Sequence, residues 1–377
     1  MYQALYRKWR PMSFDDVVSQ PHITTTLKNQ IKSGKTAHAY LFTGSRGTGK
    51  TTCARIFAKA INCLDPHDGE PCLECEICKD ADNGTLSDII EIDAASNSKV
   101  DDIRELREGV VYTPERCKYK VYIIDEVHML SAGAFNALLK TMEEPPPHVK
   151  FILATTEIHK VPATIVSRCQ HFDFHRIRNE DIVSRLMYIA SQEGFTLHED
   201  AAGMIARLSD GGMRDALSLL DQCVAYENDI TLDVVSSASG IAGRDYLFDI
   251  LEKIAEKDAA GALRVVDKLY DMSKDLKVLA GELLAQMRNV MIIKTIDNNK
   301  DLITCLPDEY ERLKALAERM KLDEILGDIN TLQECSERFA KSTSKRIELE
   351  MCIIKLCGAA QKAGATVQAV SGNAEIT

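Results

Sequence analysis

The feature that most constrains this chain is "LFTGSRGTGKTTC", residues 41 to 53, in which Gly44, Gly49, Lys50 and Thr51 satisfy the spacing G-x-x-x-x-G-K-[ST]. Such a loop works only when a strand feeds it and a helix begins at its lysine, because phosphate oxygens are gripped by backbone N–H groups at a helix N-terminus. The flanking "HAYLF" and "TTCARIFAKAI" have those characters. Gly44, Gly47 and Gly49 let the backbone turn its N–H groups inward, with Ser45, Arg46, Thr48 and Thr52 completing the cradle. Lys50 reaches the β and γ phosphates, and Thr51 offers its hydroxyl to Mg²⁺. A nucleoside triphosphate site is expected on an α/β fold.

The rest of the first half agrees with that fold. "IIEIDAA", "KVYIIDEV", "VKFILATT" and "CQHFDFH" are β-rich runs separated by helical patterns, which implies a parallel sheet covered by helices. In "SAGAFNALLKTMEEPPP", Phe135, Leu138, Leu139 and Met142 recur at helical spacing, with Ser131 as cap and Pro145 to Pro147 as stop. Beyond about residue 178 strand signals fade, and short helices broken at Gly194 and at Gly211-Gly212 predict a small helical domain. From about 240 the pattern is helical throughout, with apolar stripes at Leu276, Leu279, Leu283, Met287 and Val290, then at Leu322, Ile325, Ile329 and Leu332. Such stripes read first as core and second as an oligomer contact. "AAQKAGATVQAVSGNAEIT" has no periodicity and reads as a tail or linker.

Composition narrows the function. No run approaches the roughly 18 apolar residues of a membrane span, and no apolar stretch follows "MYQALYRKWRP", so a cytoplasmic protein without a membrane partner is expected. With 46 basic against 57 acidic side chains the formal charge is −11, which excludes bulk attraction to nucleic-acid phosphates and leaves only local contacts. Lys99, Arg104 and Arg107 are candidates, but interleaved acids make a solvated helix face the simpler reading. Twelve cysteines without an export signal do not make a disulfide framework. Eight are scattered among apolar residues and read as buried thiols. Cys63, Cys72, Cys75 and Cys78 are spaced C-x8-C-x2-C-x2-C on short polar turns and fit structural Zn²⁺. Iron–sulfur binding competes, but a ferredoxin run needs a further Cys-Pro where this chain has "KDADN".

Further positions carry chemistry. "VYIIDEVH" ends a strand in Asp125, suited to holding magnesium through water, and Glu126, suited to polarising an attacking water. His128 reads as a surface or supporting histidine. Thr155, at the tip of "FILATT", reads either as a strand cap or as a donor to the water or γ-phosphate. Arg168 in "SRCQ" and Arg214 in "GGMRDAL" each have a structural reading as bridges between carboxylates.

The order of these motifs resembles the AAA+ ATPases, and more closely the gamma/tau family of bacterial DNA polymerase III clamp-loader subunits, over nearly the whole chain. The resemblance rests on "YRKWRPMSFDDVVSQ", "HAYLFTGSRGTGKTT", "EIDAASN", "IIDEVHMLS", "NALLKTMEEPP", "ATTE", "SRCQ" and "GGMRDALSLLDQ". It implies a RecA-like α/β P-loop AAA+ domain over 1–177 with a zinc-binding insert at 63–78, a helical lid over 178–240, an all-α collar over 241–357 and a tail or linker over 358–377. It implies ATP, Mg²⁺ and structural Zn²⁺ as cofactors. It implies Thr155 as sensor 1, Arg214 as sensor 2 and Arg168 as an arginine finger reaching a neighbour's site. Tyr6, Arg7, Arg10, Pro11, Val17 and Val18 resemble the segment lining the adenine end. Implied partners are delta and delta-prime type subunits, further copies of this chain in a pentamer, a sliding clamp and primer-template DNA. The expected activity is ATP-driven clamp loading, with polymerisation having no residues here. Alternatives are a branch-migration or helicase motor, a nonhydrolysing subunit of the same assembly, and a small-molecule kinase.

Overall fold

The computed structural model describes residues 3–97, 100–240, 245–297, 299, 302–303, 305, 307–339 and 342–358, so Lys99 and nearly all of the expected tail lie outside the described residues. The chain divides into two compact units, Met1–Ser239 and Gly240–Thr377.

In the first unit five strands, β1 (Ala39–Gly44), β2 (Ile89–Asp93), β3 (Lys120–Asp125), β4 (Val149–Thr155) and β5 (Gln170–Phe174), form one sheet in the order β2-β3-β4-β1-β5. Every pairing in it is parallel, with Thr43 opposite Thr155 and Asp93 opposite Asp125. The expected fold class is therefore observed. Alternation along the strands divides the core into two layers. Tyr40, Phe42, Val121, Ile123, Ile152 and Ala154 pack with Phe57 of the helix Lys50–Asn62 and with Ile23 and Leu27 of the helix Pro21–Ser33. Leu41, Tyr122, Ile124, Phe151 and Leu153 pack on the opposite face with Phe135 and Leu138. Because both faces are covered, β4 is buried at every position, as a central parallel strand must be. Each such side chain contributes roughly 1.5–3 kcal/mol on burial. Together they fix the edge where the strands end and the chemistry collects.

The helix expected after β3 spans Ala132–Glu143, and Ser131 Oγ accepts from the N–H of Ala134. Beyond β5 come the helices Asn179–Glu193, Glu199–Leu208, Met213–Tyr226 and Leu232–Ala238, the first closed by Gly194 at φ 80°. One feature differs from expectation: Thr196–Leu197 and Asp229–Ile230 pair as a small parallel sheet. Two residues per strand are too few to leave a period in the sequence.

The second unit is helical: Asp245–Ala255, Ala259–Asp271, Leu276–Thr295, Pro307–Arg319, Leu322–Arg338 and Lys345–Leu356. The stripe Leu276, Leu279, Leu283, Met287 and Val290 lies in its core, as do Ile325 and Leu332, with Ile329 partly buried. Leu322 does not, being exposed at the first residue of its helix, where the turn has not yet rotated toward the core. Among the cysteines outside the cluster, Cys117, Cys169 and Cys305 are half-buried rather than buried, and the other five match expectation.

Candidate nucleotide-binding site

The loop between β1 and the helix Lys50–Asn62 turns through left-handed conformations at Gly44 (φ 129°), Gly47 (φ 77°) and Gly49 (φ 107°). At Gly44 a Cβ would stand 2.2 Å from the carbonyl oxygen of Phe174, and at Gly47 one would stand 3.0 Å from Cα of Gly212. Lys50 is buried and donates to the carbonyls of Gly44 (2.8 Å) and Ser45 (2.7 Å). Burial lowers its pKa, opposed by the charges of Glu126 and Asp125. Thr48 is buried and donates to the Ser45 carbonyl (2.8 Å), while Arg46 is exposed. Thr51 Oγ1 donates to Asp125 Oδ2 at 2.7 Å, so the hydroxyl and carboxylate suited to one magnesium ion already meet.

Glu126 follows β3 in a left-handed conformation (φ 46°, ψ 45°) that a non-glycine residue adopts only under constraint. Its Oε2 accepts from Oγ1 (3.0 Å) and N (3.3 Å) of Thr156 and lies 3.4 Å from His128 Nδ1. Thr156 is a residue that sequence reasoning passed over. "ATTE" offers two threonines, and the expected one, Thr155, is buried with its hydroxyl on His128 (3.0 Å) and on the N–H of Glu157 (3.0 Å). Of the two readings of His128 the supporting one holds: it is half-buried between Glu126 and Glu157.

The N-terminal segment and the later helices close on this loop. The N–H of Met213 donates to the Gly47 carbonyl (3.1 Å), bringing the start of the helix Met213–Tyr226 onto the cradle. Arg214, in that first turn, stacks over the Tyr6 ring at 5.2 Å, and Arg7 donates to the Tyr6 hydroxyl (3.2 Å). Arg10 donates to Thr52 Oγ1 (3.2 Å), and its burial, with Arg55 and Arg214 nearby, brings its pKa down to about 10. Arg10 is thus held on the phosphate-loop helix itself. Val17 stands 4.0 Å from the Cβ position of Gly49, and Pro11 and Val18 are half-buried in the same segment. Trp9 Nε1 donates to Glu193 (2.6 Å), a second contact with the later helices that no motif announced.

Arg168 joins none of these residues. Its guanidinium donates to the Thr164 carbonyl (2.8 Å) and to Glu143 (2.8 Å) and is about one-third exposed. Arg104 is likewise exposed and paired with Asp101 at 2.9 Å.

The four clustered cysteines meet at the end of the phosphate-loop helix. Their sulfurs lie within 4.8 Å of one another, with Cys63–Cys75 at 4.0 Å and Cys72–Cys78 at 3.9 Å. A tetrahedral ion with zinc–sulfur arms of about 2.3 Å needs sulfurs about 3.8 Å apart. Backbone N–H groups of Cys72, Cys75 and Cys78 point at the sulfurs of Cys63, Cys72 and Cys75 (3.3, 3.3 and 3.4 Å), while burial pushes the Cys63 and Cys78 thiols up. Burial works against the Cys75 thiolate, yet the N–H groups of Leu64 and Cys78 and the neighbouring thiols bring its pKa down to about 7. The residues fit a metal.

Comparison with known proteins bears on the family of the chain. Residues 19–178 match the DNA polymerase III delta subunit family, 181–229 the ATPase lid domain of DNA polymerase III clamp loader subunits, and 230–368 domain III of DNA polymerase III subunits gamma and tau. The chain is 44% identical to DNA polymerase III subunit tau of Bacillus subtilis over 98% of its own length and 66% of that protein. It is 40% identical to subunit gamma of Buchnera aphidicola (subsp. Schizaphis graminum) over 84% of this chain and 87% of that one. Against subunit tau of Escherichia coli it is 42% identical over 78% of this chain and 46% of that protein, so it spans less than two-thirds of either of these longer relatives. The Thermotoga maritima RuvB branch migration motor superposes on 73% of the chain with a TM-score of 0.47 at 19% identity, too loosely to favour any function. The chain belongs to the gamma/tau subunit family of DNA polymerase III.

Proposed function

We propose that this chain is an ATP-driven motor subunit of a clamp loader, which joins delta and delta-prime type subunits and further copies of itself, opens a sliding clamp, and releases it around primer-template DNA upon hydrolysis. The observation that carries this reading is the convergence of Lys50, Thr51, Asp125, Glu126, Arg10 and Arg214 on one loop, while Arg168 faces elsewhere. Lys50 pairs with the β and γ phosphates, and the N–H groups after Gly44 hold their oxygens. Thr51 and Asp125 hold magnesium, which neutralises phosphate charge when bound. Glu126 orients the attacking water, and Thr156 and His128 set its carboxylate. Arg214 acts on the subunit's own nucleotide. Arg168 exchanges Glu143 for the γ-phosphate of an adjoining subunit, where a guanidinium is worth several orders of magnitude in rate. Cys63, Cys72, Cys75 and Cys78 hold structural Zn²⁺, a closed set without a water position. DNA is gripped locally and without reading sequence, in keeping with the charge of −11.

The test is ATP turnover in the assembled complex, with and without clamp and primed DNA, for wild type and Arg168→Ala. The expected result is stimulation by clamp and DNA in wild type and its loss in the variant with assembly intact. Unchanged turnover in the variant would remove the shared active site from the proposal.

A further inference from the structure

The loop between Cys63 and Cys72 does more than connect two thiols. It carries a tight hairpin, His67–Glu70, closed by paired backbone hydrogen bonds of 3.1 and 2.8 Å. Gly69 at its tip (φ 83°) lies so close to the helix Pro21–Ser33 that a Cβ there would stand 2.6 Å from the Lys28 carbonyl oxygen. Asp68 pairs with Lys32 of the same helix at 2.7 Å.

Glu70 then leaves the hairpin and enters the nucleotide-binding body. Its Oε2 accepts from the N–H of Phe14 (2.8 Å), and its Oε1 accepts from the N–H of Asp15 (3.1 Å) and pairs with Lys28 (2.6 Å). A carboxylate holding two successive backbone N–H groups fixes that peptide as an N-cap fixes a helix. The fixed peptide leads directly to the phosphate loop. Phe14 is buried against Cys53 and Phe57 of the phosphate-loop helix, its carbonyl accepts from the N–H of Val17 (3.1 Å), and Val17 stands over Gly49.

We propose that Glu70 is a positioning residue that couples metal occupancy at Cys63, Cys72, Cys75 and Cys78 to nucleotide affinity. The inference rests on the phosphate-loop reading given above. The hairpin is tethered at both ends by ligands, Cys63 before it and Cys72 two residues after Glu70. A bound metal holds those ends together and keeps Glu70 on Phe14 and Asp15, so that Val17 stays over the cradle. Without it the loop loosens, and the segment from Phe14 to Val18 loses the group that orders it. The two sites share a free energy and must act on each other reciprocally.

The experiment titrates a fluorescent ATP analogue against the full chain, zinc-loaded and chelator-stripped, for wild type, Glu70→Ala and Glu70→Gln, with zinc content and hydrogen exchange measured in parallel. In the zinc-loaded proteins Glu70→Ala is expected to weaken binding about tenfold while keeping its zinc. Stripping weakens wild type by a similar factor and Glu70→Ala little further, because the link is already cut. Exchange at the N–H groups of Phe14 and Asp15 rises in stripped wild type and in zinc-loaded Glu70→Ala alike, which a general loss of structure would not confine to them. Glu70→Gln keeps the shape and one accepting oxygen, falls between, and carries the comparison if the alanine variant folds poorly. Binding by both Glu70 variants as tight as wild type, or losses from stripping and substitution that multiply, overturns the coupling. Lys50→Ala separates the two ideas: its loss of binding alongside unaffected Glu70 variants sinks the coupling alone, whereas wild-type binding by Lys50→Ala sinks the phosphate-loop reading beneath it.

Discussion

Glu126 and Gly44 illustrate how much a single backbone position decides here. The left-handed backbone at Glu126 costs about 1–3 kcal/mol and is held by the surrounding strands and by Thr156, which aims the carboxylate. Glu126→Gln keeps shape and hydrogen bonding but cannot polarise water. Single-turnover hydrolysis in the assembled complex is expected to fall by about 100-fold or more, with affinity for the ATP analogue within about twofold. An equal loss in both would mean that Glu126 serves binding. Thr156→Val removes the hydroxyl donor while leaving the Thr156 N–H in place, and is expected to lower the same rate by about tenfold without weakening nucleotide binding. Gly44→Ala fails for a different reason. Its φ of 129° is strained for alanine, and the new methyl meets the backbone oxygen of Phe174, which has no flexible end to swing aside. A loss of about 3 kcal/mol is expected, read as a drop in the melting temperature of the first unit. A variant as stable as wild type would mean that β1 and β5 can part without cost.

At the scale of elements, the helix Leu322–Arg338 carries a flaw that the apolar stripe does not reveal. Asp328 points into the second unit, and its Oδ2 has no hydrogen-bond partner among the described residues. Burial pushes its pKa from 3.8 to about 6, only partly offset by the charge of Lys257. The folded state then holds a proton that the unfolded chain has released between about pH 4 and 6, so this group's contribution to stability falls as pH rises through that window. Asp328→Asn should remove that slope and stabilise the second unit by about 2 kcal/mol at neutral pH. Urea unfolding of both proteins at pH 5 and pH 7.5 measures it, and parallel pH profiles would show that Asp328 stays solvated. The helices themselves were legible because Leu276, Leu279, Leu283, Met287 and Val290 repeat at 3.6-residue spacing. Asp328 was not, since a period registers which faces are apolar and says nothing of one carboxylate turned inward. The two-residue strands at Thr196 and Asp229 escaped for the opposite reason, being shorter than any period.

For the molecule as a whole, legibility followed distance along the chain. The loop from Gly44 to Thr52 is local, and its glycine turns and the helix that starts at Lys50 could be read from consecutive residues. Asp125 and Glu126 needed only the rule that parallel strands end on one edge. The contacts of Arg10 with Thr52, of Arg214 with Tyr6 and of Glu70 with Phe14 link residues far apart in sequence, and no spacing encodes them. The role proposed for Arg168 would extend that series beyond one chain. Within its own subunit it is spent on Glu143 and Thr164, so the proposed role requires a neighbour. Two damaged chains should then repair each other. Lys50→Ala cannot bind nucleotide productively but still offers its arginine, whereas Arg168→Ala keeps its cradle and lacks only the arginine. Each alone should hydrolyse ATP at least about 100-fold more slowly than wild type in the assembled complex. Mixed before assembly, they should recover a measurable fraction of wild-type turnover, because some cradles of the second variant then face arginines of the first. Recovery that rises with the share of Lys50→Ala chains and then falls is the signature of a site built from two subunits. A mixture no faster than its components would place Arg168 within its own chain, as the structural partner of Glu143 alone.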